Sequence, residues 1–367
     1  MPERPASPNA PSVRGANQRP TLRDVATLAG VSMKTASRVI NGETRVNATL
    51  ALNVRRAAEV LDYRPNLTAR NLRRSDGFTH TLGVVLFDVS NAFSSSLQRA
   101  IEDVASTRHI VVISSSVDED PQRERDNALA LVARQVDGLV VVPAGDDQSY
   151  LAREQRLGLK VVFVDRVPQL LRADAVVGDN RGGAYRAVTH LARHGHKRIA
   201  FLGDRDYIGT LKERRQGYYD AMRDANLTVD PSLVITNLHA AGAIAGAVTT
   251  LMSGDPPTAL FTAQNFITIQ SIQSIRTLKH LELDDCVALV GFDDFDTSDL
   301  LRPAVTVVSQ SPKDMGSLAA KLLLDRIDGD AAAFETHVIP VNLIERGSGE
   351  LEPGADLVRA RLGRASN

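Results

Sequence analysis

"TLRDVATLAGVSMKTASRVING", residues 21–42, holds two helical patterns separated by one glycine. Leu22, Val25, Ala26 and Ala29 fall at i, i+3, i+4 and i+7, which is one face of a helix. Thr21 and Asp24 stand three apart, the arrangement of a capping box at a helix start. Gly30 ends the pattern, because glycine accepts the left-handed conformation in which helices commonly stop. Ser32 supplies the cap of a second helix. That helix turns Ala36, Val39 and Ile40 inward and leaves Met33, Lys34, Ser37 and Arg38 facing out. "NGETRVN", residues 41–47, is a turn, and Asn47 caps a third helix running through Leu61 with Val54, Ala57, Ala58 and Leu61 inward. Two short helices across a tight glycine turn, backed by a third, form a helix-turn-helix domain. Its second helix presents long polar side chains where a DNA major groove would lie.

The charge distribution agrees. The chain of 367 residues has a net charge of −1, yet residues 14–74 carry twelve Lys/Arg against four Asp/Glu, a net of +8. Residues 75–367 therefore sum to −9. A basic head on an acidic body points to a polyanionic partner for the head. With 43% hydrophobic and 24% charged residues, the whole has the composition of a globular protein of two or three domains. No run approaches the roughly 20 apolar residues of a membrane span. Residues 1–19, rich in Pro, Ser, Ala and Asn, hold no apolar signal core and read as a disordered tail, so the expected location is the cytoplasm, with no membrane partner. A single cysteine, Cys286 in "DDCVALVGF", excludes a disulfide framework and reads as a buried strand thiol.

After the three helices comes "YRPNLTARNLRRSDG", residues 63–77. Pro65 closes the third helix and Asn66 can cap another, but only six to eight residues remain before "SDG". So short a helix is marginal alone in water. The expectation is a linker that becomes helical only with DNA and a second copy present. From Thr81 the texture changes to short β-branched runs: "TLGVVLF", "IVVIS", "GLVVVP", "KVVFVD", "RIAFLGD", "LVIT", "TALFTA" and "VALVGFDD". Their spacing, with helical patterns between, is that of βαβ units in a parallel sheet. The pattern restarts near "HGHKRIAFLGD", which gives two similar α/β subdomains with a ligand cleft between them.

In order and spacing, "TLRDVATLAGVSMKTASRVING", "YRPNLTARNLR", "GVVLFDVSNAF", "RQVDGLVVVP", "HLARHGHKRIAFLGD", "ERRQGYYDAM" and "VALVGFDD" resemble the LacI/GalR family of bacterial transcriptional repressors over residues 21 to about 348. The resemblance implies an α/β fold: a helix-turn-helix domain (20–64), a hinge helix or linker (65–76), and a periplasmic-binding-protein-like core of two Rossmann-like subdomains (77–348). The core would divide into 77–178 with 310–338 and 179–309 with 339–348, and a second disordered tail would follow at 349–367. It also implies a homodimer, or a dimer of dimers, on a pseudo-palindromic double-stranded DNA operator, controlled by a small-molecule effector.

Carried over by position, Met33, Lys34 and Arg38 read base edges, and their chemistry suits guanine O6 and N7 and a thymine methyl. Ser32, Thr35, Ser37, Asn41 and Arg45 suit phosphate contacts that set register. Leu72 stands where the family wedges a leucine into the minor groove, supported by Asn66, Ala69, Arg70 and Arg73. Asp88, Phe93, Ser94, Asp165, Arg166, Arg214 and Asp293 match effector-pocket positions. Carboxylates that accept from hydroxyls, a donating guanidinium and an aromatic cover suit a polyhydroxylated ligand. A sugar is the default effector, for a repressor of carbohydrate use. The alternatives are a corepressor-dependent regulator that responds to a nucleobase or other metabolite, or a cytoplasmic solute-binding protein. The sequence departs from the family at Gln264, Asn265, Gln270, Ala92 and Asp62.

"HLARHGHKR" superficially resembles a metal site, with His190 and His194 at i, i+4 and His196 nearby, but no acidic or cysteine ligand accompanies them locally. "GDNRGG" lacks the Lys-Ser/Thr of a P-loop, and "SSSV" lacks a nucleophile elbow. The expectation is therefore a DNA-binding regulator without metal, cofactor or catalytic residues.

Overall fold

The computed structural model describes residues 19–43, 46–64, 78–278 and 287–353. Arg45, Asn66, Ala69, Arg70, Leu72, Arg73 and Cys286 lie outside them. The chain divides into two compact units, residues 1–79 and 80–367.

In the first unit, α1 spans Leu22–Leu28, α2 Met33–Ile40 and α3 Ala48–Val60. Thr21 and Asp24 form the reciprocal capping box, with Thr21 N donating to Asp24 Oδ2 at 2.8 Å. Gly30 takes φ 66°, and Val31 N then closes the helix end by donating to Ala26 O at 3.0 Å. Ser32 accepts from Thr35 N at 3.1 Å and starts α2. Val25, Ala26, Ala36, Val39, Val54 and Ala57 are buried, while Ile40, Ala58 and Leu61 are only partly so. The core is thus built of small side chains, which lets three short helices approach closely. α3 ends on Asp62 at φ 46°, with Tyr63 N donating to Ala58 O at 2.8 Å, so aspartate fills a left-handed position that favours glycine or asparagine.

The second unit holds two six-stranded sheets. The first contains β1 (Thr81–Leu86), β2 (Val111–Ser116), β3 (Gly138–Val141), β4 (Lys160–Val164), β5 (Asp174–Gly178) and β11 (Thr336–Ile339), in the order β11-β5-β4-β3-β1-β2, all parallel. The second contains β6 (Ile199–Leu202), β7 (Val234–Ile235), β8 (Ala259–Thr262), β9 (Ala288–Phe292), β10 (Thr306–Ser309) and β12 (Asn342–Ile344), in the order β12-β10-β9-β8-β6-β7. Among the described residues only β12 runs antiparallel, against β10. The eight β-branched runs read from the sequence coincide with β1–β4 and β6–β9. Among the described residues four further strands were not read: β5 and β10 are short buried runs, and β11 and β12, of four and three residues, have no fully buried position to mark them.

The helices are α4 (Ala92–Ser106), α5 (Pro121–Ala133), α6 (Ala152–Arg156), α7 (Asn180–Arg193), α8 (Gly209–Asp224), α9 (Ala241–Leu251), α10 (Asn265–Thr277) and α11 (Pro312–Ile327). Although α11 follows β10 of the second sheet, its Met315, Ala319, Ala320 and Leu323 pack with Leu97 and Ile101 of α4 against the first sheet. The chain therefore passes between the two halves three times: after Gly178, between Ser309 and Pro312, and between Ile339 and Asn342. The passages are in contact. Asp179 N donates to Ile339 O at 3.1 Å, and a Cβ on Gly178 would lie 2.1 Å from Gln310 Oε1.

The segment 349–353, which the sequence assigned to a disordered tail, is bonded to the core instead, and residues 354–367 lie outside the described residues. Ser348 Oγ donates to Leu289 O at 2.6 Å, and Glu350 accepts from Gly347 N at 2.6 Å and Thr306 Oγ1 at 2.8 Å. His196 Nε2 meets Leu351 O at 2.8 Å. Polar caps, not an apolar period, hold this segment, and hydropathy does not register them. Glu350 also lies 2.6 Å from His190 Nε2, and Glu345 lies 3.6 Å from its Nδ1, so distant carboxylates do reach one histidine of the pair, His190. Glu350 is already occupied by Thr306 and Gly347, and the cluster pins the C-terminal segment to α7.

Candidate DNA interface and effector cleft

The outer face of α2 carries Met33, 47% exposed, beside exposed Lys34 and half-buried Arg38. Arg38 Nε donates to Glu43 Oε2 at 2.7 Å. The hydroxyls of Ser32 and Thr35 meet at 2.9 Å at the helix start, and Asn41 Nδ2 donates to Ser37 Oγ at 3.4 Å beyond its end. One face of one helix thus offers a thioether, an ammonium and a guanidinium, flanked at both ends by short polar groups. That is the donor set for major-groove edges with phosphates on either side.

In the second unit, a cleft enclosing about 470 Å³, partly open to solvent, lies between the strand ends of the two sheets. Phe93, Asp165, Arg166, Arg214 and Asp293 line it. Asp165 follows β4 and Asp293 follows β9, strands that hold the same place in their sheets. Both residues take left-handed backbone, φ 68° and 69°. Their amides make matching bonds to the neighbouring strand, Asp165 N to Val176 O and Asp293 N to Val308 O, each 2.9 Å. Each half therefore contributes one carboxylate by the same local device.

Both cleft arginines are bound to protein. Arg166 forks onto Glu119 with two bonds of 2.6 Å and also donates to Pro143 O at 2.6 Å. Arg214 Nε donates to Asn180 Oδ1 at 2.8 Å, and Nη1 to Ala263 O at 2.7 Å and Asp293 Oδ2 at 3.2 Å. Its guanidinium stacks 3.7 Å from the centre of the Phe292 ring. Gln310 Nε2 donates to the other oxygen of Asp293 at 2.7 Å.

Two expected positions fall elsewhere. Asp88 closes its own turn, accepting from Ser90 N at 2.8 Å and Ser90 Oγ at 2.7 Å, and does not line the cleft. Ser94 is buried in the first turn of α4 and does not line the cleft. The helix begins at Ala92, so Phe93 takes the cleft side and Ser94 turns inward.

Burial pushes the Asp165 carboxyl up to about 6, against the pull of Arg166 and Arg214, with Asp293 and Glu119 adding to the rise. Burial likewise raises Asp204. The folded state then holds a proton on Asp165 that the unfolded chain, with a value near 3.8, releases. The resulting contribution is fully present below the unfolded value and disappears as pH rises through about 6. Asp165→Asn should therefore gain on the wild type by about 2–3 kcal/mol between pH 4 and pH 6, read by urea denaturation across that window. A constant difference between the two would place the proton on another group.

Residues 21–66 match the description "Bacterial regulatory proteins, lacI family", and residues 188–349 match "Periplasmic binding protein-like domain". The HTH-type transcriptional regulator RegA of Clostridium saccharobutylicum is 31% identical over 89% of this chain and 98% of its own. This chain belongs to the LacI family. The structure of a lac repressor dimer bound to operator and the anti-inducer ONPF is similar at 25% identity and TM-score 0.78, covering 90% of this chain and 99% of that one. A complex of the regulator CelR with cellobiose is similar at 28% identity and TM-score 0.66, covering 90% and 100%. The protein is a LacI-family DNA-binding transcriptional regulator, not an enzyme, with a helix-turn-helix unit and a periplasmic-binding-protein-like core.

Against the LacI-family pattern, the departures at Gln264 and Asn265 fall on the cleft lining and Gln270 does not. Asn265 forms an amide pair with Asn91 across the cleft, at 3.1 and 3.4 Å. The unusual residue thus links the N-cap of α4 to the first turn of α10. Asp204, Thr210, Asn91 and Gln310 also line the cleft and were missed. Asp204 follows β6 as Asp165 follows β4, so the strand-end rule contained the signal for it. Gln310 gives no such signal, since it enters through the second passage between the halves.

Proposed function

We propose that this regulator is a homodimer, or a dimer of dimers, that represses by binding a pseudo-palindromic operator. In this reading it acts in the cytoplasm, and its operator affinity is set by a neutral polyhydroxylated effector of the sugar class. The carrying observation is the state of the cleft cations. Arg166 is shared between Glu119 and, at 3.4 Å, Asp165, and Arg214 is paired with Asp293, so carboxylates outnumber the two cations. Asp204 and the Gln264 amide also line the cleft, and Asn91 and Asn265 pair with each other. A phosphorylated or carboxylate ligand would meet this acidic surface at a desolvation cost with no compensating cation. Hydroxyl groups find acceptors and amide donors there, and Phe87 and Phe93 can cover an apolar sugar face. The cellobiose complex of CelR supports the class.

A thermal-shift screen of the full chain tests this, using neutral mono- and disaccharides, hexose phosphates and purine bases. A neutral sugar at 100 times its Kd should raise Tm by about 4–8 °C. A rise with a purine or a sugar phosphate alone would overturn the sugar reading.

On DNA, Met33, Lys34 and Arg38 read bases in this proposal, Ser32, Thr35, Ser37, Asn41 and Arg45 hold phosphates, and Leu72 wedges the operator centre with Asn66, Ala69, Arg70 and Arg73 in support. Lys34→Ala should cost about 1–3 kcal/mol of operator binding and relax preference at one position per half-site. The check is titration against single-position operator variants. Equal weakening on every sequence would make Lys34 a phosphate contact instead.

A further inference from the structure

Arg38 stands in the last turn of α2, and the carboxylate on its Nε comes from Glu43, five residues on. Five is not a spacing at which helical side chains meet. The contact arises because Gly42 takes φ 77° and the chain folds back, with Glu43 N donating to Arg38 O at 2.9 Å. The two side chains are 37% and 49% exposed, and neither belongs to the buried cluster of the three helices. An exposed pair of this kind adds little to stability. Its geometric effect is specific. A flexible arginine loses side-chain freedom when it docks, and a carboxylate at Nε fixes the guanidinium plane beforehand. The end-on contact of arginine with guanine O6 and N7 uses Nη1 and Nη2, not Nε.

We infer that Glu43 is a positioning residue for base reading: it sets the plane of the Arg38 guanidinium and so the strength of base discrimination at the position Arg38 reads. This rests on the proposed role of Arg38. A carboxylate near the phosphate backbone is also repulsive, so Glu43 lowers affinity for DNA of any sequence. Its two effects have opposite signs. Removing it should raise non-specific affinity while weakening discrimination, a combination that a purely structural or purely repulsive role does not produce.

The test uses full-length protein and a pool of duplexes with randomised inverted half-sites, comparing wild type, Glu43→Ala, Glu43→Gln, Arg38→Ala and the Arg38→Ala/Glu43→Ala double variant. Glu43→Ala should reduce preference at the base pair identified by Arg38→Ala by about 2- to 5-fold, the size of an exposed ion pair's contribution, and nowhere else. Glu43→Gln keeps an acceptor for Nε–H and should retain most of that preference. The double variant should discriminate no less than Arg38→Ala alone. Unchanged circular-dichroism melting of the variants would place the effect outside the fold. If Glu43→Ala strengthens binding by one factor on every sequence, with preference intact, Glu43 is only a repulsive charge and the inference fails. If Arg38→Ala itself leaves all base preferences intact, the Arg38 assignment fails first.

Discussion

Arg214→Ala is expected to abolish the effector response and to destabilise the core by about 3–5 kcal/mol, because it leaves a buried carboxylate without its cation. Arg214 and Asp293 are 5% and 8% exposed, and the arginine is also the common donor to Asn180 and Ala263 O. One truncation therefore loosens the starts of α7 and α10 together with the strand end after β9. The two effects can be separated. Asp293→Asn in the Arg214→Ala background removes the unpaired charge and should recover much of the stability, with the response still absent. Urea denaturation reads the first effect and effector-titrated operator binding the second. A variant that still responds normally would place the ligand outside this cleft.

The second large effect lies far from the ligand. Asp174, 1% exposed, opens β5 and receives Arg326 in two bonds of 2.7 and 3.0 Å, plus Glu335 N at 2.9 Å. Arg326 also holds the carbonyls of Asp330, Ala332 and Ala333. This one pair fastens the end of α11 and the segment leading into β11 to the first sheet. Asp174→Ala should cost about 3–5 kcal/mol of unfolding free energy, since the buried guanidinium keeps only the half-exposed Asp330 carboxylate, 3.4 Å from Nη1, as counter-charge. Asp174→Asn should cost less, because an amide still accepts one bond. A loss below about 1 kcal/mol for Asp174→Ala would show that the carbonyls and Asp330 suffice to hold Arg326.

Neither buried pair was legible as a pair. Arg214 and Asp293 were each expected in the cleft because they stand within "ERRQGY" and "GFDD", whose resemblance to the family places them at effector-pocket positions. Asp174 and Arg326 lie in unremarkable contexts, 152 residues apart, and only the fold brings them together. The same division runs through the rest. The helix-turn-helix was readable residue by residue, because its caps, its glycine stop and its apolar face are local. Eight of the strands were readable as β-branched runs. Asp88 and Ser94 misled because the offset between strand end and helix start decides which side chain meets the cleft. Here Asp88 closes a turn on Ser90 and the helix starts at Ala92, which leaves Phe93 as the lining residue.

The three passages of chain between the halves of the core carry a mechanical consequence. A body joined to another by one strand can swivel in every direction, and by two it can still twist. Three adjacent straps, tied by the Asp179–Ile339 bond and by Gln310 seated on Gly178, leave essentially one bending motion. Because Gln310 also donates to Asp293, the axis of that motion touches the cleft floor. Under the proposed effector role, binding in the cleft acts on that bend, and a substitution in any one strap should stiffen or soften it.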